Sequence, residues 1–469
     1  MYGKNTMTNN FKKLLLLFTI IVTISSCGNR NNYEAYFGGE ITSPKSDHIY
    51  FCRNNKVIDT IKLDKNNRFF IKFDSLTPGM YSFKHEPYYQ YVYFDKNDSL
   101  MVNIDTRHFD ESIVFSGKGN EKNNFMMELY LANEKDRNSC FSVFDYDFDK
   151  FSKCIDSTYQ KRVTYYNEEK SRLDWSNGFD FYVKARLDFS YFSKKEYYPY
   201  AHALKTGKKI NNLIPNNYYE YRNEIEFNNP KLTNYTPFVR YFTTMLNNMA
   251  LSKHQPYSVS EDDALEESIT KLNLADSIFI NEDVKNQVLN TLAFNYLLED
   301  KNIVNHEAFL ERFTELSTDN DEGNEIVRIG QAATDLKEGK KLPEIELVDS
   351  YDNPVDINNG INEKTVIFFW TSCSKSRLKD IDRKIDLLKQ QYGEIDFIAI
   401  NVDEDKEWKK TMKEYSLENA CQLRASNFKT LKDKWAFTKI NRTIVLNPDG
   451  TIKRGFANIM DSNFKQHLN

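Results

Sequence analysis

Six cysteines are the residues of this chain with the most chemistry to offer: Cys27, Cys52, Cys140, Cys154, Cys373 and Cys421. Cys373 has the most distinctive neighbourhood. It follows the apolar run Thr365–Trp370 and precedes Arg377–Tyr392, whose apolar residues recur at helical spacing, so the thiol sits between a strand and a helix N-terminus. Unsatisfied amides at a helix start favour an anion, and Lys375 and Arg377 add positive charge, so the surroundings favour a thiolate. A half-buried thiol left behind on a scaffold fits the same residues. Cys421 follows the helical stretch Glu407–Tyr415 and could approach the same face as a distant resolving thiol, or serve as a small buried hydrophobe. Asp380 and Asp403 could assist proton transfer; a solvated helix face and a strand-end turn explain them equally well.

Other chemistries are poorly supported. The seven histidines are scattered, with no HxxxH and no Cys/His pair at metal spacing, so neither a metal nor a cofactor is expected. There is no P-loop, no GxSxG and no HExxH. Cys140 and Cys154 could pair, but nothing requires it, and the wide spacing is not that of a disulfide scaffold. The net charge is −5 and no long basic run occurs, which argues against a nucleic-acid partner. Phe (34) and Tyr (29) are abundant while Gly (16) is scarce, a composition suited to large aromatic cores.

The first segment bears on compartment. Lys12 and Lys13 lead into the apolar residues 14–26 and then Cys27, a stretch of secretory length and too short for a comfortable membrane span. Ile24-Ser25-Ser26-Cys27 resembles a bacterial lipobox. The resemblance implies cleavage before Cys27, lipidation of its sulfur and attachment to a membrane through the lipid. An ordinary cleaved signal that contains Cys27 is the plainer alternative. Asn29, rather than Asp, follows the Cys27-Gly28 pair, which by analogy with lipoprotein sorting favours the outer membrane of the cell envelope without fixing its face.

The elements that must position these residues fall into a multidomain chain: a small N-terminal β-sandwich, an all-α middle and a C-terminal α/β domain. After residues 1–26 as signal and 27–32 as tether, the boundaries fall at 33–117, 118–335 and 336–469. The first domain reads as short strands at Val57–Leu63, Arg68–Phe73, Met80–Phe83, Tyr89–Phe94 and Ser99–Ile104, with turns at Asp64–Asn67, Pro78-Gly79 and Asp95–Asp98. The middle reads as helices at Phe125–Leu131, Phe151–Arg172, Phe238–Met249, Asp262–Leu274, Asp283–Leu298 and His306–Ser317. The aromatic run Phe179–Tyr200 fits a buried helical core, or a sugar-binding platform. The last domain alternates strand and helix: Thr365–Trp370, Arg377–Tyr392, Ile395–Val402 and Glu407–Tyr415, then a hairpin Ile440–Leu446 and Thr451–Phe456 and a helix from near Asp461.

Four segments of that domain carry a family resemblance. Gly339–Leu347, Thr365–Cys373 with Ile395–Asp403, and Ile440-Asn441-Arg442 running on to Asp449-Gly450 resemble the opening segment, the active-site strand with its neighbour, and the closing hairpin of TlpA/ResA-type thioredoxin-like proteins. The β domain resembles in pattern the one often fused to such lipoproteins in Bacteroidetes. What the resemblance implies is a thioredoxin fold with Cys373 in the position of the nucleophilic thiol. Active members need a second cysteine one helical turn on, because the first thiolate forms a mixed disulfide that the second thiol resolves.

The chain departs from that pattern. Ser376 occupies the resolving position, Asn441 the position of a substrate-presenting cis-proline, and Ile381 that of a helix-kinking proline. A hydroxyl cannot resolve a mixed disulfide, and a non-proline cis bond costs about 2.5–4 kcal/mol. The expectation is a membrane-tethered envelope protein whose thioredoxin-like domain is redox-degenerate and binds a peptide, a thiol or a partner protein. The alternative is a monothiol thiol–disulfide oxidoreductase using Cys373.

Overall fold

The computed structural model describes residues 33–85, 88–208, 210, 213–251, 261–297, 305–319, 322–372, 375–403, 407–414, 419–437, 440–461 and 464–468; for 137–142, 261–262, 322–324, 375–377 and 407 the backbone path alone is described. Cys27 and Cys373 lie outside the described residues. The chain divides into two compact units, residues 1–127 with 173–180, and residues 128–172 with 181–469.

The first unit is a β-sandwich of eight strands: β1 (Ala35–Thr42), β2 (His48–Arg53), β3 (Lys56–Lys62), β4 (Arg68–Phe73), β5 (Gly79–His85), β6 (Tyr88–Phe94), β7 (Ser99–Asp105) and β8 (Val114–Lys118). One sheet runs β4-β1-β7-β8 and the other β3-β2-β5-β6. Alternation turns one side chain in two inward, and the inward residues are largely aromatic. Phe37 is fully buried, with the rings of Phe51, Phe69, Phe83 and Phe94 centred between 5.3 and 5.9 Å from its own. Asn54 and Asn55 carry positive φ angles of 52° and 62°, the geometry a two-residue hairpin needs to match strand twist.

The second unit begins with a helical region. Its helices are α1 (Asn120–Ser139), α2 (Phe148–Leu173), α3 (Asn177–Thr206), α4 (Thr236–Leu251), α5 (Glu261–Ile278), α6 (Glu282–Leu297), α7 (His306–Leu316) and α8 (Glu322–Asp335); α1 and α3 start within the residues of the first unit. The aromatic run Phe179–Tyr200 forms the middle of α3 and lines a core. Tyr198 is buried and stacks on Phe151 at 3.7 Å, while Phe192 stacks on Tyr221 at 4.4 Å. Hydroxyls find partners: Tyr191 donates to Asp156 at 2.5 Å and Tyr159 to Asp188 at 2.6 Å. Glu196, 1% exposed, is compensated by four donors. Arg222 grips it at 2.8 and 2.6 Å, Tyr221 donates at 2.6 Å and Asn248 at 2.7 Å. A buried carboxylate is tolerable only when its lone pairs are filled in this way.

The second unit ends in an α/β domain built from β9 (Leu347–Val348), β10 (Pro354–Val355), β11 (Lys364–Trp370), α9 (Lys375–Tyr392), β12 (Ile395–Asn401), α10 (Glu407–Glu414), β13 (Cys421–Ala425), α11 (Phe428–Trp435), β14 (Thr443–Leu446) and β15 (Ile452–Ala457). Its sheet has the order β10-β9-β13-β12-β11-β14-β15. The central strands β11, β12 and β13 are parallel, and β14 and β15 return antiparallel. Helix α9 presents Leu378, Ile381, Ile385 and Leu388 as one buried stripe against Val366, Phe368 and Trp370. The elements α8, β13 and α11 are additions to what the sequence pattern separates. In place of a helix from Asp461, a single 3-10 turn, Phe464–His467, closes the described chain.

Among the described residues, no helix is long and apolar enough to cross a membrane.

Candidate functional site

The candidate site lies where β11 and β12 end side by side. Register pairs Trp370 with Asn401, the last residue of each strand. Beyond Trp370 the chain makes a short turn, Thr371-Ser372, that leads into Cys373 and the start of α9. Asp403 holds that turn. Its Oδ2 accepts the Ser372 N–H at 2.7 Å and the Asn401 Nδ2 at 2.9 Å, and its Oδ1 accepts the Thr371 hydroxyl. The Val402 N–H donates to the Trp370 carbonyl at 3.1 Å, continuing the pairing past the strand end. The hydrogen bonds therefore give Asp403 a turn-holding part. Asp380 sits exposed on α9 and faces Arg383 at 3.6 Å, an ordinary solvated pair.

Ser376 is the second residue of α9, within its first turn. Asn441 stands in a half-buried turn before β14. Thr443 pairs with Phe368 in an antiparallel ladder, so continuing the register two residues places Asn441 abreast of Trp370, at the same end of the sheet. Arg442, next to it, is buried and plays a structural part. Its Nη1 donates to the carbonyls of Trp435 at 2.8 Å and Ala436 at 2.5 Å, closing the end of α11, and the guanidinium lies 4.0 Å from the Phe456 ring centre.

Cys421 is elsewhere. It opens β13 and pairs with Ile398, which pairs with Ile367, three residues short of Trp370. From strand spacing and rise it stands about 10 Å back along the sheet and about 10 Å across it from the Trp370 end. Cys421 is an exposed residue and not the small buried hydrophobe the sequence allowed, yet partial desolvation of its sulfur pushes the thiol up from its ordinary value, and the carboxylates of Asp396 and Asp349 push it further. Its placement is away from the strand end that precedes Cys373 in the sequence. Among the described residues, no group of His, Cys, Asp and Glu is arranged to hold a metal.

Residues 362–452 match the model of a family described as thioredoxin-like. The C-terminal domain is thioredoxin-like in fold. No curated protein matches the chain. Among solved structures, a domain of a possible thiol-disulfide isomerase from Cytophaga hutchinsonii is 20% identical, covering 28% of this chain and 90% of its own, with a TM-score of 0.26. The thioredoxin domain of a thiol-disulfide oxidoreductase from Bacteroides vulgatus is 18% identical over 28% of this chain and 99% of its own, with a TM-score of 0.23. A thioredoxin-like protein from Bacteroides caccae is 12% identical and reaches 59% of this chain and 92% of its own, with a TM-score of 0.34.

Sequence reasoning missed the convergence of Thr371, Ser372 and Asn401 on Asp403 and the capping of α11 by Arg442. The available signal was positional: an Asn and an Asp two residues apart, just past an apolar strand, are residues that bond local backbone.

Proposed function

We propose that the C-terminal domain performs monothiol thiol–disulfide exchange at Cys373. The observation that carries this reading is the strand-end turn Thr371-Ser372, held by Asp403, which follows β11 and is separated by two residues from the start of the eighteen-residue helix α9. Cys373 and Ser374 are the two residues between that turn and the helix in the sequence. The Cys373 thiolate attacks one sulfur of a peptide or protein disulfide; the S–S bond breaks, a mixed disulfide forms, and the departing thiolate takes a proton from water. An external thiol then attacks the partner's sulfur and returns Cys373 as the thiolate. Ser376 and Asn441 leave this cycle without an internal resolving thiol and without a presenting proline, and Cys421 has no part in it. Ser376 in the resolving position and Asn441 in the cis-proline position favour a second reading, in which the redox-degenerate domain binds a peptide, a thiol or a partner protein without turnover.

Cys27 is lipidated and anchors the protein to the outer membrane of the cell envelope, with the folded units held at its surface. The support is the Lys12-Lys13 pair, the apolar residues 14–26 and the lipobox-like Ile24–Cys27. Several acyl chains on one residue suffice for stable anchoring. Cys27→Ala is expected to move the protein out of the membrane fraction or block its processing; unchanged fractionation and mobility would remove the anchor from the proposal.

The exchange reaction is tested by mixing the full chain with a chromogenic aromatic disulfide near neutral pH. One equivalent of aromatic thiolate should be released rapidly, with the label on Cys373 and stable until an external thiol is added. Slow release, or labelling of Cys421 ahead of Cys373, would overturn the reading.

A further inference from the structure

We propose that Lys195 is an amine nucleophile that captures an aldehyde carried on a flat conjugated ring, holding it as an imine inside a cage of tyrosine rings. The inference goes beyond the exchange reaction and does not involve Cys373. Lys195 lies half-buried on α3. Its Nζ stands 4.3 Å from the ring centre of Tyr221, 4.4 Å from that of Tyr218 and 5.7 Å from that of Tyr191. Tyr191 precedes it by one turn of α3, and the other two come from the 3-10 segment Asn216–Glu224. Each wall is fixed by a further ring. Tyr159 stacks on Tyr191 at 4.4 Å, Phe192 stacks on Tyr221 at 4.4 Å, and Phe148 meets Tyr218 edge-on at 5.1 Å. The Tyr218 hydroxyl also donates to the Lys195 carbonyl at 3.4 Å.

An ammonium taken partly out of water ordinarily pairs with a carboxylate, as the neighbouring Lys194 does with Asp136 at 3.0 Å. The carboxylates near Lys195 are engaged elsewhere. Asp156 of α2 accepts the Tyr191 hydroxyl at 2.5 Å, and Glu196 is filled by Arg222, Tyr221 and Asn248. Among the described residues, no hydrogen bond or ion pair reaches the Lys195 amine. The titratable and charged groups that face it are Asp156 from α2, Tyr191 and Glu196 from α3, and Tyr218 and Tyr221 from the 3-10 segment, with Arg222 on Glu196. Burial holds the three phenols above their ordinary value, so they stay neutral and supply no anion. Burial also pushes the Lys195 amine below its ordinary value, against the pull of Asp156 and Glu196 toward the charged form. The neutral amine attacks the aldehyde carbon: a C–N bond forms, a proton passes from nitrogen to oxygen, water leaves and a C=N bond remains. The imine takes a proton from water and becomes a flat cation, which tyrosine faces attract as they attract the ammonium it replaces. A conjugated ring on the aldehyde spreads that cation over the walls and adds offset stacking, neither of which a small aliphatic aldehyde offers.

The experiment uses the full chain, with salicylaldehyde as the probe, borohydride to reduce and fix the imine, and peptide mass spectrometry to locate it across a pH series. Near neutral pH, Lys195 should be labelled several-fold faster than Lys194 and the exposed Lys62, with the rising limb of its profile at lower pH than theirs. Propanal should lose most of that preference. Asp156→Asn keeps an acceptor for the Tyr191 hydroxyl but deletes a charge that favours the ammonium, so it should move the limb lower still. Tyr191→Leu removes a wall and leaves Asp156 without its phenol donor, so it should move the limb up. Circular dichroism and the melting temperature check that each variant folds, and Asp156→Asn decides the matter if Tyr191→Leu does not fold. Lys195 labelled no faster than the other lysines rejects the nucleophile. An equal preference with propanal rejects the ring-borne aldehyde as its ligand class. A limb that stays fixed in both folded variants rejects the cage as the source of the reactivity.

Discussion

The side chain of Asn123 stands in for a β-strand beside Tyr93. Its Oδ1 accepts the Tyr93 N–H at 2.7 Å and its Nδ2 donates to the Tyr93 carbonyl at 2.9 Å, as a neighbouring strand would on the outer edge of β6. The next residue does the same for the other sheet: Asn124 Oδ1 accepts the Phe115 N–H at 2.8 Å and Nδ2 donates to the Phe115 carbonyl at 2.9 Å, on the edge strand β8. Consecutive asparagines at the start of α1 thus close an edge of each sheet, where unpaired backbone would invite association. Asn123→Leu strips both partners from buried backbone groups and should cost about 1–3 kcal/mol. Asn124→Leu should cost a similar amount. Denaturant midpoints measure both, and a change under about 0.5 kcal/mol, the ordinary range of surface substitutions, would show that water replaces the amide without loss.

The C-terminal domain shares its second unit with the helical region, and particular contacts explain why. Lys432 of α11 meets Glu325 of α8 at 2.5 Å. The Gly339 N–H donates to Ile452 at 2.8 Å, and the Ile452 N–H to Lys340 at 2.7 Å, so residues 339–340 cover the edge of β15. Gly455 is required there, since a Cβ would come within 2.3 Å of the Leu336 carbonyl. A fragment of residues 322–469 should therefore be more stable than one of residues 336–469, and both should show mixed α/β circular dichroism. Equal melting temperatures would mean that α8 adds nothing to the domain.

His85 sets a pH limit on the sandwich. It is fully buried; Nε2 accepts the Lys45 N–H at 2.8 Å, so Nδ1 carries the proton and faces the His48 carbonyl at 3.0 Å. Burial pushes the imidazole below its ordinary 6.5, the His48 carbonyl opposes this, and the charges of His48 and Lys45 add to the lowering. The folded value lies below the unfolded one, so the contribution is complete above about pH 6.5 and is lost as pH falls through the folded value. Urea midpoints of the parent should decline from about pH 6.5 toward acid, and His85→Phe should flatten that slope even if it lowers stability near pH 7.5. A slope unchanged in the variant would assign the acid sensitivity to other groups.

Much of this was legible because strong periodicity survives in single segments. Val366 to Trp370 reads as a buried strand, and Leu378, Ile381, Ile385 and Leu388 read as one face of a helix. Strand β13 was not legible: only Leu423 and Ala425 of its five residues are buried, too short an apolar signal to read, and its identity comes from pairing with β12 and β9. The same holds for the site. Cys373, Ser376 and Asn441 stand out by residue type against the family pattern. The part played by Asp403 depends on Thr371 and Ser372, 32 and 31 residues earlier, arriving beside it, which only the parallel register of β11 and β12 brings about.

Restoring a dithiol site tests how far the domain has diverged. With one thiol, attack on a disulfide stops at the mixed disulfide, so the wild-type chain should reduce insulin no faster than an equal concentration of simple thiol. Ser376→Cys puts a second sulfur in the first turn of α9 and should give a weak reductase. Adding Asn441→Pro should raise the rate further. That residue lies level with Trp370 when the β14 register is continued, and proline lowers the cost of a cis bond from about 2.5–4 to about 0.5–1 kcal/mol. In the TlpA/ResA-type pattern that this segment resembles, the cis-proline presents backbone to the substrate chain. Insulin turbidity on the wild type, the two single variants and the double variant measures this directly. Wild-type turnover that Cys373→Ala abolishes would mean that a second thiol of the chain does reach the intermediate, against the placement of Cys421 on β13. An inert double variant would mean that the turn and the opposing loop have changed in more than these two residues, and that the domain keeps Cys373 for capture rather than turnover.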